Sequence, residues 1–200
     1  EKHIRDSIMP YLRRRQISIP LQMQIYKFME DHSRSQKIQG QHDNLDTLEL
    51  TPELKFYIRC ELWVPKLLSL GLFSKINEWN TDFSTLLAQQ VFEKVYAPDA
   101  LLYEAGGPSN TAYYIISGSL RATFTVKSGQ VKYDPRYDFT AGMWVGETAL
   151  INPELARRET IKFAKKSELM VVPALEFRKQ LHRLMLSHHY EDFLRESLWL

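Results

Sequence analysis

The chain has 200 residues, of which 44% are hydrophobic and 25% charged, as in one folded domain with a helical attachment. A formal net charge of +2 gives a nucleic-acid partner no global electrostatic support, so none is expected, and no apolar run approaches the roughly 20 residues of a membrane span. The single cysteine, Cys60, excludes an internal disulfide and fits a reducing compartment.

The first part of the chain, residues 1–90, has the pattern of helices. Ser18 followed by Pro20 is a helix start signal, because the hydroxyl can cap the helix and proline suits its first turn. Thr51 followed by Pro52 is a second signal of the same kind. These signals predict two helices that begin near residues 19 and 52.

From Val91 to Val172 the pattern changes to short β-branched or aromatic runs bounded by turn residues, which predicts strands. A short helix is expected to interrupt them near Gly146, and residues 174–198 read as one long helix or two joined ones. The predicted fold class is therefore α+β. Helices come first, then an antiparallel, jelly-roll-like β-roll with a short internal helix, then C-terminal helices.

The segment from Gly142 to Leu150 carries the most specific chemical signal. A glycine turn that opens a short helix leaves backbone N–H groups free for an anion. Arg157 could return to the same place and hold a phosphate through its planar guanidinium. Glu147 would repel a phosphate, so its suitable role is to accept a hydrogen bond from a sugar hydroxyl. A plainer alternative is that Glu147 and Arg157 form an internal salt bridge that closes the turn.

This segment, Gly146-Glu147-Thr148-Ala149-Leu150 followed by Arg157, resembles the phosphate-binding cassette of cyclic nucleotide-binding domains. Two upstream blocks, residues 98–106 and 113–118, resemble strands of the same family in the same order. The resemblance covers about residues 73–195 and implies a β-roll that binds cAMP or cGMP, with no other cofactor.

The resemblance also implies the ligand contacts. Backbone N–H groups of Gly146, Glu147, Thr148 and Ala149, together with the Arg157 guanidinium, would hold the phosphate. Glu147 would accept from the ribose hydroxyl, and the last helix would close over the base. Arg158 is the other candidate for the phosphate ligand, because the cassette is one residue longer than usual and the insertion could shift the turn.

Three departures from the family pattern fall inside this site. The extra residue brings Pro153 with it, Arg158 stands where a small residue is usual, and Glu159 places a carboxylate near the expected phosphate. A carboxylate opposes an anion at neutral pH. We therefore expect this member to bind cyclic nucleotide weakly or not at all.

The N-terminal part has a resemblance of its own. Residues from Arg15 to Gln22 and from Leu50 to Lys55 are similar to the C-linker of cyclic-nucleotide-gated, hyperpolarisation-activated and ether-à-go-go channels. This resemblance implies two parts, a C-linker-like region over 1–72 and the β-roll with its C-terminal helices over 73–200. It also implies other subunits of a homotetrameric cation channel, potassium or non-selective, at the cytoplasmic face of a membrane reached through a region outside this sequence.

Two alternatives stay open. The pocket could take no nucleotide and be filled by residues 197–200, or the chain could belong to a soluble kinase-regulatory or scaffold protein. The sequence shows no nucleophile–base–acid set, so no enzyme is predicted. No metal site is predicted either. His182, His188 and His189 lie on the last predicted helix, but the adjacent His188 and His189 cannot share one helix face.

Overall fold

The computed structural model describes residues 2–33, 50–125, 131–152 and 154–185. Backbone contacts divide the chain into two compact units, Glu1–Ser69 and Leu70–Leu200. Within the described ranges, no helix has both the length and the apolar character that crossing a membrane requires.

The first unit is helical: α1 spans Lys2–Arg14, α2 Ile19–Ser33 and α3 Pro52–Leu67. Both predicted start signals are confirmed. The Ser18 hydroxyl accepts a bond of 3.4 Å from the Leu21 amide, and the Thr51 hydroxyl accepts one of 3.3 Å from the Leu54 amide. These bonds satisfy amides that have no partner within the helix.

The second unit begins with two short helices, α4 (Gly71–Trp79) and α5 (Asp82–Ala88). Phe73 on α4 and Phe83 on α5 are fully buried, with ring centroids 6.2 Å apart. Phe177 lies 5.5 Å from the Phe73 ring and 5.8 Å from the Phe83 ring. Phe177 belongs to α7 (Ala174–Met185), so these three rings join the helices on both sides of the strands.

Among the residues that the structure describes between these helices there are nine strands, the single-turn helix α6 (Thr148–Ile151) and a 3-10 turn (Pro135–Tyr137). The strands are β1 (Phe92–Tyr96), β2 (Leu101–Tyr103), β3 (Thr111–Ser117), β4 (Ser119–Thr125), β5 (Val131–Tyr133), β6 (Phe139–Thr140), β7 (Trp144–Val145), β8 (Thr160–Phe163) and β9 (Ser167–Pro173). The predicted β-roll with a short internal helix is confirmed. The described part of the final helix ends at Met185, and the rest of the predicted helix lies outside the described residues.

The strands form two sheets with antiparallel pairing. One sheet has the order β1-β9-β3-β7, and the other has the order β2-β8-β4-β5 with β6 also paired to β4. Alternate residues of both sheets point into one apolar core, as the two-residue period of strands requires. This core contains Ile115, Leu120, Ala122, Val145, Ile161, Phe163 and Leu169.

The turn before β2 places a residue other than glycine in the left-handed region. Asp99 has a φ of 61° there. Aspartate tolerates this region better than most residues. The Asp99 amide donates a bond of 2.8 Å to the Phe163 carbonyl, which anchors the turn to β8.

Candidate functional site

The cassette turn lies between β7 and α6. Gly146 has a φ of 72°, a conformation that side chains rarely adopt. A Cβ atom at this position would overlap the guanidinium of Arg157, so only glycine fits without moving the arginine. Glu147 follows as the N-cap residue of α6 and makes no side-chain capping bond.

Arg157 is drawn back to this turn, as the sequence predicts. Only 6% of the residue is exposed. Its Nη1 donates to the Gly146 carbonyl at 3.3 Å, and its Nη2 donates to the Thr111 carbonyl at 2.5 Å. Its Cζ lies 4.2 Å from the centroid of the Tyr103 ring, within cation–π range.

The backbone of Arg157 is also held. The Arg157 amide donates to the Gly107 carbonyl at 3.0 Å, and the Gly106 amide donates to the Arg157 carbonyl at 2.8 Å. Since both the main chain and the side chain are engaged, the guanidinium has a defined position before any ligand arrives. A preorganised group loses less entropy on binding than a mobile one.

The charge of Arg157 is not neutralised within the described part of the chain. The guanidinium forms no ion pair there, and its buried Nε has no hydrogen-bond partner. Burying a charge is costly unless it is paired. The site therefore has a positive charge and a donor to offer to an anion.

A tyrosine and a glutamate complete the surroundings. The Tyr103 hydroxyl donates to Glu159 Oε1 at 2.6 Å. Burial of Tyr103, with its hydrogen bond to Glu159 as the next cause, raises the pKa of the phenol. The Tyr113 ring stacks 6.4 Å from that of Tyr103, and burial also raises the pKa of Tyr113. Both phenols are neutral at physiological pH.

Residues 93–183 match the family model described as "Cyclic nucleotide-binding domain". This match covers the cassette turn, Arg157 and the strands that hold them. The chain contains a cyclic nucleotide-binding domain. No curated protein matches the sequence significantly.

Solved structures agree on the fold of this domain. A cyclic nucleotide-binding-like protein from Brucella abortus superposes with a TM-score of 0.51 at 22% identity, covering 60% of this chain and 97% of that one. The regulatory domain of Toxoplasma gondii PKA, in co-crystals with cAMP, has a TM-score of 0.52 at 17% identity, covering 70% of this chain and 50% of that one.

A regulatory subunit of a cAMP-independent protein kinase A from Trypanosoma cruzi, bound to guanosine, has a TM-score of 0.53 at 13% identity. The match covers 71% of this chain and 51% of that one. This chain thus spans about half the length of both kinase proteins. At these identities the likeness concerns the fold alone.

The predicted site residues of the cyclic nucleotide-binding domain differ in their position and in their exposure. Gly146 lies in the turn and Ala149 is buried in α6, while Glu147 and Thr148 are exposed. Glu147 makes no ion pair with Arg157 in the described structure, so the internal salt bridge considered from the sequence is not formed there.

The two candidate arginines differ clearly in position. Arg157 is buried at the turn, whereas Arg158 is exposed. The difference follows from the backbone bonds of Arg157 to Gly107 and Gly106, which set the direction in which each side chain leaves the main chain. The structure therefore brings Arg157, and not Arg158, to the cassette turn.

The backbone part of the predicted anion site depends on α6 and the turn before it. Helix α6 has four residues, so few peptide dipoles add along its axis. The Ala149 amide already donates to the Gly146 carbonyl at 3.1 Å. The side chain of Arg157 brings a full positive charge to the same turn.

Sequence reasoning missed the part of Tyr103 in this site. Tyr103 lies in an ordinary strand pattern, and only the pairing of β2 with β8, which places Tyr103 opposite Ile161, brings it beside Glu159 and Arg157.

Trp144, next to the cassette in sequence, packs its ring 5.6 Å from that of Phe73 and 5.5 Å from that of Tyr114.

No group of three or more potential ligands for a metal ion occurs among the described residues. His182 is exposed on α7. His188, His189 and the segment 197–200, which we considered as a pocket plug, lie outside the described residues.

Proposed function

We propose that this chain is a regulatory, non-catalytic region that binds cAMP or cGMP, with the phosphate on Arg157. Glu147 is exposed beside the same turn and would accept from the ribose hydroxyl. The phosphate would supply the hydrogen-bond acceptor and the negative charge that the Arg157 guanidinium, already held in position, does not have among the described residues.

The observation that carries this proposal is the state of Arg157. It is 6% exposed, pairs with no carboxylate in the described structure and has an unsatisfied Nε. A phosphate supplies both a negative charge and acceptor oxygens, and charge-assisted bonds of this kind are the strong ones. Because Nη1 and Nη2 already serve backbone carbonyls, one edge of the guanidinium remains for the ligand, which supports weak binding.

A contact between the cassette and the last helix supports a regulatory role. Arg178 on α7 donates through Nη1 to the Ala149 carbonyl at 3.4 Å. A ligand that moves the turn would therefore act on α7. Such a ligand shifts a conformational equilibrium only by its difference in affinity, and a 100-fold preference corresponds to about 2.7 kcal/mol.

Calorimetric titration with cAMP and cGMP at moderate salt tests the proposal. We expect a Kd above ~10 μM, equivalent to about −7 kcal/mol. Arg157→Ala should cost about 1.5–3 kcal/mol of binding free energy, as expected for a lost charge-assisted contact. Arg158→Ala removes the same charge from a neighbouring exposed position and should cost much less.

Each outcome is informative. If neither nucleotide binds, the domain is of the nucleotide-independent kind. A Kd well below 10 μM contradicts weak binding, and a greater loss in Arg158→Ala reverses the assignment of the phosphate ligand.

We further propose that the regulated protein is a homotetrameric cation channel, in which residues 1–72 couple binding to the pore at the cytoplasmic face of a membrane. The C-linker resemblance of Arg15–Gln22 and Leu50–Lys55 supports this. So does the surface of α2, where Ile19 is 72% and Met23 is 67% exposed along a groove next to Met9. Exposed apolar surface of this kind favours a protein partner.

Sedimentation of the chain over a range of micromolar concentrations tests the subunit contact. We expect self-association that Ile19→Ser with Met23→Ser weakens. Leu175→Ser is a matched control, since Leu175 is 57% exposed in the other unit. A monomer at every concentration, or equal effects of both changes, would favour the soluble kinase-regulatory or scaffold alternative.

A further inference from the structure

Two opposite charges lie close together just before β8 and form no ion pair among the described residues. Arg157 and Glu159 are two residues apart in the bend that leads into β8, and both contact the side chain of Tyr103. Pairing would neutralise the buried guanidinium. The structure instead leaves the Nε of Arg157 without a partner, while the carboxylate of Glu159 is bound elsewhere.

The Tyr103 ring accounts for this separation, because it engages both charges at once. Its hydroxyl donates to Glu159 Oε1 at 2.6 Å, and its face lies 4.2 Å from the Arg157 Cζ. Its backbone is fixed by pairing with Ile161 on β8, and its ring is stacked on Tyr113 at an interplanar angle of 25°. The ring is therefore held in place from more than one side.

We propose that Tyr103 is a positioning residue that holds Glu159 away from Arg157 and so keeps the guanidinium available for the phosphate of a nucleotide. This inference rests on the proposed function, since it explains how an arginine with an acidic neighbour remains an anion site. Without the hydroxyl, the carboxylate is released beside an unpaired cation. It would then compete with the phosphate for the same guanidinium.

A double-mutant cycle measures this competition. Tyr103→Phe keeps the ring and its packing but removes the bond to Glu159, and we expect about tenfold weaker nucleotide binding, or about 1.4 kcal/mol. Glu159→Gln alone should change affinity little. In the double variant the neutral amide cannot compete as an anion, so affinity should return close to that of Glu159→Gln.

Tyr113→Phe is the matched control, because it removes the hydroxyl of a second partly buried tyrosine, one that bonds to Thr111 and not to Glu159. We expect its affinity to equal that of the unaltered protein. If Glu159→Gln fails to rescue Tyr103→Phe, or if both tyrosine variants lose affinity equally, Tyr103 acts only through packing and the inference is overturned.

A measurement without ligand separates this inference from the proposed function. In proton–nitrogen NMR spectra, the Arg157 Nε–H signal should shift in Tyr103→Phe as the carboxylate reaches it, and should return in the double variant. If neither nucleotide binds but this shift occurs, the proposed function fails and the role of Tyr103 stands. An unchanged signal in Tyr103→Phe overturns the inference whatever the binding result.

Discussion

Two regions of the second unit, Leu70–Leu200, are buried but differ in what they bury. The aromatic cluster of Phe73, Phe83 and Phe177 consists of rings that contact one another at centroid distances of 5.5–6.2 Å. The cassette region around Arg157 buries a cation with an unsatisfied donor. The cluster is complete without a ligand, whereas the cassette lacks a partner.

This difference separates stability from binding. Burying an aromatic side chain stabilises the fold through its apolar area and its ring contacts. Burying a guanidinium without an ion-pair partner opposes folding. The Arg157 guanidinium stays buried because it donates hydrogen bonds to the carbonyls of Gly146 and Thr111. We therefore expect changes in the cluster to act on folding, and changes at the cassette to act mainly on nucleotide affinity.

The largest effect on stability should come from the cluster. Phe73→Ala should lower the free energy of unfolding by about 3–5 kcal/mol, because it leaves a cavity among buried rings. Denaturant titration measures the change, and Phe73→Leu is a milder variant if the alanine protein does not fold. Phe92→Ala makes the same replacement where the side chain is 45% exposed, and should cost much less. Equal losses at both positions would contradict the assigned role of the cluster.

A smaller effect, on stability and affinity together, is expected at the cassette glycine. Gly146→Ala must strain a backbone with φ of 72° and displace the Arg157 guanidinium. Gly142 has a comparable φ of 90° but open space around it, so Gly142→Ala carries the strain alone. Gly146→Ala should cost about 1–3 kcal/mol more than Gly142→Ala, as for other overpacked sites.

Nucleotide titration of the same two variants completes this comparison. Only Gly146→Ala should weaken nucleotide binding, since only there does the added methyl group reach Arg157. Loss of affinity in Gly142→Ala, with none in Gly146→Ala, would mean that the phosphate is not held at this turn.

The smallest effect is a dependence of stability on alkaline pH. Burial and the bond to Glu159 raise the pKa of Tyr103 above its ordinary value of 10.0. Below pH 10 the phenol is protonated in both the folded and the unfolded chain. Above this pH the unfolded chain loses the proton first, so the free energy of unfolding falls as pH rises, by up to about 1.4 kcal/mol per pH unit for one group.

Urea unfolding from about pH 9 to about pH 11 measures this slope. Tyr103→Phe should make the slope shallower, because one of the tyrosines with a raised pKa is removed. Tyr113→Phe should do the same, since burial raises the pKa of that phenol as well. An unchanged slope in both variants would show that the tyrosines beside Arg157 are not buried in solution.

The sequence by itself determined the features that depend on neighbouring residues. The caps at Ser18 and Thr51 and the positions of the strands along the chain follow from local backbone preferences and from turn residues that separate β-branched or aromatic runs. The spacing of Gly146, Glu147 and Arg157 was likewise sufficient to locate the cassette, because the family places these residues on one turn and the strand that follows it.

Only the tertiary structure decided which charges meet. Arg157 rather than Arg158 turns inward because its main chain pairs with Gly106 and Gly107, about fifty residues earlier in the sequence. Tyr103 reaches Glu159 across 56 residues, and Arg157 reaches Thr111 across 46. No local pattern encodes such contacts, since they exist only after β2 has paired with β8 and the roll has closed. Among the described residues, the arginine that the sequence puts forward as a phosphate ligand forms no ion pair. The carboxylate of Glu159 is instead bound by a tyrosine that the sequence does not single out.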